Sequence, residues 1–386
     1  MPSQEVQTLI IGGGVAGLSS AWHLGQAGAA RDGRVLLLEK DPLCGSQASA
    51  QNAAILRSFS ADPVTSAIAR ASAAFLRQPP AGFSPVPLLH PTGLILGASG
   101  ATAEAWRREL ERLGPAAGAR QLSQGELRSL APHLEPNAEL FLYFETEGQL
   151  DIAAELDGFR RGAQESGVRI QTDRRITGLL RQEDRVLGVQ LEDGSSIHAQ
   201  TTVLAAGGWS DALGQSVHSR VRMTPTRRHL MVSAPDATID RNWPIVWLED
   251  AGFYCRPESG GLLVSACDTS EVDPDSLQRD PAILESFAKK LALHTPRFAD
   301  SPVAHYWCGM RTHSRDGRFC IGPDPDLAGL FWVAALGGHG MSAGPEVGRL
   351  ASALLMGHGD GEDPEVLASL APKAEPRRST RLDRVT

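Results

Sequence analysis

The stretch QTLIIGGGVAGLSSAWHL (residues 7–24) decides the fold of the first part of the chain. Gly12, Gly14 and Gly17 follow an apolar run at the spacing G-x-G-x-x-G, and an apolar stripe at helical spacing comes after them. This pattern predicts a buried strand, a tight turn and a helix. Gly12 allows such a turn, Gly14 lets the backbone approach a pyrophosphate, and Gly17 lets the helix pack on the strand. The free N–H groups at the helix start would then face a diphosphate.

A carboxylate stands where a dinucleotide site needs one. A second predicted strand, residues 34–38, ends in Glu39, 22 residues beyond Gly17, and Lys40 follows it. A carboxylate at the tip of this strand can accept hydrogen bonds from a ribose diol. The alternative is a glycine-rich turn in an ordinary α/β domain with a surface glutamate, since the chain has 40 glycines among 386 residues. The strand-turn-helix context favours the dinucleotide site, to which we also assign Lys40.

The composition excludes several classes of protein. The chain has no apolar run of 18 residues, and its start lacks a basic region followed by an apolar one, so we expect neither a transmembrane helix nor a signal peptide. The net charge of −8 gives no support to nucleic-acid binding. We expect a cytoplasmic protein, with peripheral contact to a membrane left open. The cysteines have no C-x-x-C spacing, which argues against a zinc site and fits a reducing compartment: Cys44, Cys255, Cys267, Cys308 and Cys320.

The rest of the chain predicts a second lobe and a return to the first. Residues 196–200 and 202–206 read as two strands, and alternating strands and turns from 230 to 266 suit an antiparallel sheet. Near the end, an apolar strand at 331–335 runs into glycines and then a helix from about 344 to 355. This is a second glycine-rich connection from a strand to a helix, far along the chain from the one at residues 12–17. A single ligand bound by both connections would explain them. The predicted division is 1–80, 145–225 and 307–360 in a dinucleotide-binding domain, 81–144 and 226–306 in a substrate-binding domain, and 361–386 as a C-terminal tail.

Three glycine-bearing blocks together resemble one family. They are the first motif with Glu39, VLAAGGWSD (203–211), and GMRTHSRDGRFCIGPDP (309–325) with GLFWVAALGGHGMSAGPEVGRL (329–350). They resemble the D-amino-acid oxidase-like superfamily of FAD-dependent oxidoreductases, over nearly the whole chain. QPPAGF (78–83), PTRRH (225–229) and GFYCRPESGGLLVSACD (252–268) look closest to bacterial D-amino-acid dehydrogenases of the D-arginine type. The resemblance implies an α/β fold: a Rossmann-like FAD-binding domain, glutathione-reductase-like, beside an α+β substrate domain with an antiparallel sheet.

The resemblance implies FAD held without a covalent bond. Residues 337–341 would lie by the isoalloxazine ring, with backbone N–H groups where negative charge collects on reduction. Cys308 lies near the usual place of a covalent flavin link, but we interpret it as a buried structural thiol. The cofactor residues that the resemblance implies are Gly12, Gly14 and Gly17 at the diphosphate, Glu39 and Lys40 near the ribose, Ser49 and Ala53 along the pyrophosphate and flavin, Ala206 and Gly207 at the adenosine half, and Gly337, Gly338, Gly340 and Met341 at the ring.

The family's chemistry takes a hydride from a carbon that bears an amine, so the substrate carboxylate must be fixed. A guanidinium does this best, through two parallel hydrogen bonds. Arg311 is our candidate, because GMRT is where the family carries its substrate-binding arginine. Tyr254 would donate its hydroxyl to the same carboxylate, and Gly338 would adjoin both flavin and substrate. A surface ion pair is the ordinary role of an arginine. Only the position of Arg311 in the GMRT motif favours substrate binding over that role.

Three further candidates are weaker. Arg227 or Arg228 matches a family arginine at the pocket edge; we assign Arg228. His339, in the glycine-rich loop, could tune the ring or relay a proton, and a packed histidine is an equal alternative. A substrate amino acid can react as its neutral amine, so no general base is required.

The chain departs from its cation-preferring relatives. Those carry an acidic residue where this chain has Leu94, and residues 91–98 contain no carboxylate. Arg57 stands in the loop after the small-residue segment and would add positive charge. We therefore expect that a cationic side chain meets no counter-charge, and that the substrate is a D-amino acid with a neutral or acidic side chain.

Other interpretations stay open. A 2-hydroxy acid or a secondary amine such as N-methylglycine could use the same clamp, and a hydroxy acid would need His339 as base. A non-catalytic FAD-binding subunit is the alternative from another class. The electron acceptor (oxygen, a quinone or another), the stereochemistry and the oligomeric state are not encoded in these motifs. We expect no metal and no nucleic-acid partner.

Overall fold

The computed structural model describes residues 4–376. Its α-helices are α1 (Val15–Gln26), α2 (Pro63–Arg77), α3 (Gly100–Leu113), α4 (Gln124–Leu130), α5 (Ile152–Glu165), α6 (Ser210–Ser216), α7 (Ile283–His294), α8 (Gly340–Leu355) and α9 (Pro364–Leu370). Its strands are β1 (Gln4–Ile11), β2 (Val35–Leu38), β3 (Leu89–His90), β4 (Leu94–Ala98), β5 (Arg120–Gln121), β6 (Leu140–Phe144), β7 (Gln149–Leu150), β8 (Arg169–Gln171), β9 (Ile176–Gln182), β10 (Arg185–Leu191), β11 (Ser196–Leu204), β12 (Met223–Ser233), β13 (Ile245–Leu248), β14 (Phe253–Glu258), β15 (Gly261–Ser265), β16 (Val303–Ser314), β17 (Cys320–Pro323) and β18 (Leu330–Ala334).

The first sheet has the strand order β17-β18-β11-β1-β2-β8. From β18 to β8 all neighbours are parallel, as expected for a sheet covered on both faces. Ile10 of β1 packs into a core with helices α1, α5 and α8. Leu9 and Ile11, on the opposite face of the same strand, pack with β9 and β10. This alternation makes β1 the centre of a three-layer domain.

Strand β11 differs from the two strands predicted at 196–200 and 202–206. The structure has one continuous strand, Ser196–Leu204. Its first residues pair antiparallel with β10, its last residues pair parallel with β18, and β1 runs parallel along its other side. The polar pair Gln200-Thr201 resembles a break in the sequence, but the partners on both sides hold the strand straight through it.

The second sheet has the order β16-β12-β15-β14-β13-β4-β6-β5. Its neighbours are antiparallel except β13 and β4, which are parallel. Strands β4, β14 and β15 are almost wholly buried, because apolar clusters pack on both faces of the sheet. The predicted α/β fold with an antiparallel second sheet is confirmed.

The two long strands β12 and β16 lie side by side at one edge of the second sheet. They pair with each other from Met223 to Ser233 and from Val303 to Ser314. The domain limits predicted at 225/226 and 306/307 therefore fall inside strands of the second sheet. We propose instead that the substrate-binding domain runs from β12 to the end of β16, together with the segment around β4 to β6.

The predicted C-terminal tail, 361–386, lies partly outside the described residues, since 377–386 are not described. Before that point, α9 buries Leu370 in the first core, and Ala374 forms a bridge with Val221. Within residues 4–376, the helices are too short or too polar to cross a lipid bilayer.

Helix α8 begins one turn earlier than predicted. The sequence suggested a start near Gly344, with Pro345 in the first turn, where proline is favoured. The structure begins the helix at Gly340 and keeps Pro345 inside it. The carbonyl oxygen of Pro345 lies 3.0 Å from Nε2 of His23, and this hydrogen-bonding contact connects α8 to α1. The earlier start places the first turn of α8 at the cavity described next.

Candidate active site

Two helices begin side by side at one large cavity. Helix α1 starts at Val15 after Gly14, and α8 starts at Gly340; a Cβ added to Gly340 would lie 3.6 Å from Cγ1 of Val15. The first amides of a helix have no intrahelical partner and carry the positive end of its dipole. The cavity therefore receives two such ends, which suits a ligand with a diphosphate and a second site of negative charge.

Glycine is required in the turn before α1. Gly12 has φ +105°, and an added Cβ would lie 2.5 Å from the carbonyl oxygen of Ala205. A Cβ on Gly17 would overlap the carbonyl oxygen of Gly12. Ser49 closes the turn, because its Oγ accepts a hydrogen bond from the N–H of Val15 at 2.9 Å. Strand, turn and helix are thus locked in the arrangement that the motif predicts.

Glu39 is fixed at the end of β2. Its Oε2 accepts from the N–H of Gly13 at 2.7 Å and its Oε1 from the N–H of Asp41 at 2.9 Å. Each carboxylate oxygen keeps a second lone pair for a ligand hydroxyl. The Nζ atom of Lys40 lies 4.1 Å above the ring centroid of Trp209 and 3.3 Å from Oδ1 of Asp41.

The cavity brings together nearly all predicted cofactor residues. Gly17 lies beneath the turn instead, and Cys308 lines a neighbouring groove with Gln51, Tyr306 and Trp307. Burial raises the pKa of the Cys308 thiol, so a thiolate is not favoured there. The residues that line the cavity are Gly12, Gly14, Glu39, Lys40, Ser49, Ala53, Ala206, Gly207, Gly337, Gly338, Gly340 and Met341.

These donors fit FAD. The helix starts suit the diphosphate, Glu39 suits a ribose diol, and the glycine-rich run at 337–340, which includes His339, lines the cavity with little side-chain bulk. Gly337 has φ +54°, and its N–H donates to the carbonyl of Thr312 at 3.0 Å. This bond connects the glycine run directly to β16, the strand that carries Arg311.

Arg311 is buried at the wall of the same cavity. Its side chain is 8% exposed, and a Cβ on Gly338 would lie 3.6 Å from its Nε. Its Nη1 donates to the carbonyl of Met310 at 3.3 Å, and the buried Tyr254 lines the cavity near its guanidinium. Burial lowers the pKa of Arg311, but a guanidinium stays protonated at neutral pH. Within residues 4–376, Arg311 forms no ion pair with a carboxylate at 4.0 Å or less.

A second arginine lines the cavity, in a pair with a carboxylate. Nη1 of Arg57 lies 2.7 Å from Oε2 of Glu249, and its Nε donates to the carbonyl of Phe59 at 3.0 Å. Its Cζ lies 4.7 Å from the ring centroid of Trp247. Trp247 in turn stacks on Tyr254 with ring centroids 4.5 Å apart. The aromatic pair therefore links the Arg57 end of the pocket to the Arg311 end.

His339 lies close to both guanidinium groups. Its Nε2 is buried without a hydrogen-bond partner among the described residues. Burial, followed by the charge of Arg57 and with a contribution from Arg311, lowers the pKa of His339 to about 4. The imidazole is therefore neutral at pH 7.

Arg228 is not among the residues that line the cavity. Its Nε donates to the carbonyl of Asp268 at 3.0 Å. The register pairs Thr226 with Arg311, so Arg228, two residues further on, lies on the same face of the sheet as Arg311. Arg227 lies on the opposite face, 3.7 Å from Asp280. Of the two arginines, Arg228 is thus the one on the pocket side.

The chain matches the model of the DAO family, described as FAD dependent oxidoreductase, over residues 7–354. The chain belongs to this family. Three DAO-family relatives illustrate its neighbourhood. FAD-dependent oxidoreductase domain-containing protein 1 of Bos taurus is 25% identical, over 93% of this chain and 83% of that protein. Human mitochondrial dimethylglycine dehydrogenase is 25% identical, over 95% of this chain and 44% of that protein. Glycine oxidase of Bacillus licheniformis is 24% identical, over 92% and 94%.

The fold is shared with solved DAO-like structures. The L-proline dehydrogenase of P. horikoshii superposes with a TM-score of 0.80 at 18% identity, over 94% of this chain and 95% of that one. The family match makes the protein an FAD-dependent oxidoreductase, and the superposition shows that it has the fold expected from its motifs. The finer resemblance to D-arginine-type dehydrogenases finds no support among these relatives.

The structure corrects one expectation about the pocket. The sequence predicted that a cationic side chain would meet no counter-charge, because Leu94 replaces an acidic residue. Leu94 is buried in β4, but Glu249, just after β13, brings a carboxylate to Arg57 at the cavity wall. Two signals were present in the sequence: Trp247 and Glu249 alternate at the end of a strand, and this places both side chains on one face.

The loop of Arg57 is held by two residues that sequence reasoning missed. Ser342 in the first turn of α8 accepts from the N–H of Arg57 at 3.2 Å, and its hydroxyl donates to the carbonyl of Ile55 at 2.9 Å. On the other side, Oε1 of Glu147 accepts from both the N–H and the hydroxyl of Ser58. The pocket loop is thus fixed between α8 and a buried carboxyl group.

Proposed function

We propose that the protein oxidises the CH–NH group of an amino acid, giving an imino acid that hydrolyses to a 2-oxo acid. The substrate would be a D-amino acid with a neutral or acidic side chain. One observation carries the proposal: Arg311 is buried at the FAD cavity beside the Tyr254 hydroxyl, without a carboxylate partner among the described residues. A substrate carboxylate supplies the partner that this guanidinium lacks.

The energetic reason is the cost of burying a charge. A guanidinium removed from water is unfavourable unless an opposite charge compensates it. A carboxylate bound by two parallel N–H···O bonds does so, and Tyr254 adds a third donor. Because Gly338 lies against Arg311, a carboxylate held there keeps the adjoining carbon near the glycine run.

FAD, when bound, accepts the hydride from the carbon that bears the amine. The residues of the chain bind and orient the substrate, and the first amides of α8 favour negative charge at the cavity. An amine that enters in its neutral form needs no base. His339 is a weak base because of its pKa of about 4, which disfavours a 2-hydroxy acid, whose O–H proton must be removed.

A secondary amine is the second candidate. The match to dimethylglycine dehydrogenase, 25% identical over 95% of this chain, supports it. An N-methylated amino acid carries the same carboxylate and uses the same clamp, so Arg311 and Tyr254 do not separate the two classes. The glycine oxidase match supports a primary amine equally. A non-catalytic subunit is disfavoured because both clamp residues are present in the cavity.

An anaerobic substrate panel tests the proposal through bleaching of the flavin. We expect D-alanine, D-leucine and D-glutamate to reduce the flavin faster than D-arginine, their L-isomers and lactate. N-methylglycine in the panel tests the second candidate. The Arg311→Gln variant should lose reduction, and the Arg227→Gln variant, on the opposite face of the same strand pair, is the matched control. Reduction only by L-isomers, only by lactate, or by no member of the panel would refute the proposal.

A further inference from the structure

Arg57 lines the cavity on the far side of the Trp247–Tyr254 pair from Arg311, and Glu249 holds its guanidinium in an ion pair there. We propose that Arg57 binds a second carboxylate of the substrate, and that Glu249 fills this position until the substrate displaces it. The inference rests on the proposed function, because it extends one carboxylate clamp to two. It assigns the substrate to the class of amino acids that carry a further acid group, either on the side chain or on the amine substituent.

Arg57 is held in place and cannot follow a departing partner. Its Nε donates to the carbonyl of Phe59, its backbone N–H donates to Ser342, and its side chain is 6% exposed. Its Cζ also lies 4.7 Å from the Trp247 ring centroid and 5.9 Å from that of Trp106. The guanidinium therefore remains at the cavity wall whichever anion it meets, and needs an opposite charge there.

Glu249 is the more exposed member of the pair. Its side chain is 37% exposed, and the hydrogen bond from Arg57 involves only Oε2. It follows the last residue of β13, where its backbone N–H donates to the carbonyl of Gly97 at 2.9 Å and its carbonyl accepts from the N–H of Gly252 at 3.0 Å, so its backbone is fixed while its side chain has one partner. A carboxylate released from this position can turn into water and be hydrated.

This asymmetry decides the charge of the ligand. An anionic group that takes Arg57 leaves Glu249 in water, where a carboxylate is stable. A cationic group that takes Glu249 leaves Arg57 buried without compensation, which is strongly unfavourable. The position beside Arg57 is therefore a binding site for an anion, and Glu249 occupies it when no ligand is bound. Glu249 considered alone would instead suggest a site for a cation.

The two guanidinium groups face one pocket across a flat apolar wall. Trp247 and Tyr254 are cross-strand partners on β13 and β14, and their rings stack with an interplanar angle of 29°. One ring lies under Arg57, and the other belongs to Tyr254, which lies near Arg311. This arrangement suits a short apolar chain with a carboxylate at each end.

The test uses acids that cannot be oxidised, titrated into the FAD-loaded protein while the flavin absorbance is recorded. Propionate carries one carboxylate; malonate, succinate and glutarate carry two at increasing separation. We expect at least one dicarboxylate to bind about tenfold more tightly than propionate. Glu249→Gln removes the competitor, so the Kd of that dicarboxylate should fall by about another tenfold, with the gain confined to dicarboxylates. Arg57→Gln should abolish the preference for two carboxylates.

The chain offers a matched control for Glu249→Gln. Arg256 and Glu258 form a pair of the same length, 2.7 Å, with nearly the same exposures of 4% and 34%, and Arg256, unlike Arg57, does not line the cavity. The Glu258→Gln variant should bind all the acids as the wild type does. Equal affinity for propionate and the dicarboxylates in the wild type would overturn the inference while leaving the Arg311 clamp intact. Tighter binding of 5-aminovalerate than of propionate, lost in Glu249→Gln, would overturn it as well. Failure of every acid, propionate included, to perturb the flavin would refute the proposed function and the inference with it.

Discussion

Glu147 accepts two hydrogen bonds from Ser58, the residue that follows Arg57 in the pocket loop. Its other oxygen, Oε2, is buried without a partner among the described residues, and the side chain is 1% exposed. Burial raises the pKa of Glu147 to about 7, although the Ser58 bonds oppose this rise. The carboxyl group behind the substrate loop therefore changes charge near neutral pH.

This relationship predicts a pH-dependent stability. Below pH 4.5 the folded and unfolded states are both protonated, and between about 4.5 and 7 the unfolded state loses its proton first. The folded protein should therefore lose about 3 kcal/mol of unfolding free energy over this range. Glu147→Gln should remove this loss, which urea unfolding at pH 5 and pH 8 would measure. The exposed neighbour Glu145 provides the control substitution, Glu145→Gln, and an unchanged pH slope in Glu147→Gln would show the prediction to be wrong.

Replacement of Arg311 should act mainly on substrate affinity. In Arg311→Lys a single ammonium replaces the two-pronged guanidinium, so the carboxylate keeps its charge partner but loses the parallel hydrogen bonds. We expect the rate constant for flavin reduction divided by the substrate Kd to fall about 100-fold, equivalent to about 3 kcal/mol. Stopped-flow reduction under anaerobic conditions measures both quantities. Arg227→Lys is the control, and an Arg311→Lys variant within about threefold of the wild type would contradict a carboxylate clamp.

Gly12→Ala should reduce the FAD content of the purified protein. The change combines a positive φ, which costs about 1 kcal/mol for a residue with a Cβ, with overlap on the carbonyl of Ala205. The turn must shift away from the cavity to relieve both. Gly82→Ala separates the two effects, because Gly82 has φ +79° but an added Cβ meets no atom within 4 Å. The flavin-to-protein absorbance ratio should fall in Gly12→Ala and stay unchanged in Gly82→Ala.

His339→Asn should distinguish amine from alcohol chemistry. With a pKa of about 4, His339 is neutral throughout the range in which the enzyme would be assayed, and an amine substrate does not need it as base. We expect flavin reduction by the best amino acid to change less than about tenfold, with no inflection assigned to this residue between pH 5.5 and 8. Loss of reduction by about 1,000-fold would make His339 a proton acceptor and would favour a hydroxy-acid substrate.

The nucleotide end of the site was predictable because its determinants are local. Gly12, Gly14 and Gly17 lie within six consecutive residues, and at Gly12 and Gly17 an added Cβ would overlap the backbone of the strand-turn-helix unit. Glu39 follows the next strand, whose register beside β1 is the usual one for this topology. Arg311 was located by resemblance alone, since an isolated arginine in a strand carries no chemical signature.

The side-chain end of the pocket was not predictable, because it depends on packing between distant segments. Arg57 and Glu249 are 192 residues apart and meet only when β13 lies beside the loop at 55–60. Leu94 on β4 replaces the acidic residue of the cation-preferring relatives, whereas the carboxylate of this chain follows β13, the neighbouring strand. The start of α8 was missed for a related reason: proline marks a helix start locally, and tertiary contacts with α1 extended the helix past it.

The backbone hydrogen bond between Gly337 and Thr312 separates two parts of the site that should tolerate substitution differently. No side chain takes part in it, so substitutions at Thr312 can leave the distance from the glycine run to β16 in place, whereas the positive φ of Gly337 favours glycine there. Arg311 therefore keeps its position relative to the glycine run when other residues are substituted. Glu249, by contrast, sits at a strand end whose side chain is free to change. Engineering toward new substrates should thus start at positions 57 and 249. Substitutions there leave Arg311 and the glycine run at 337–340 unchanged.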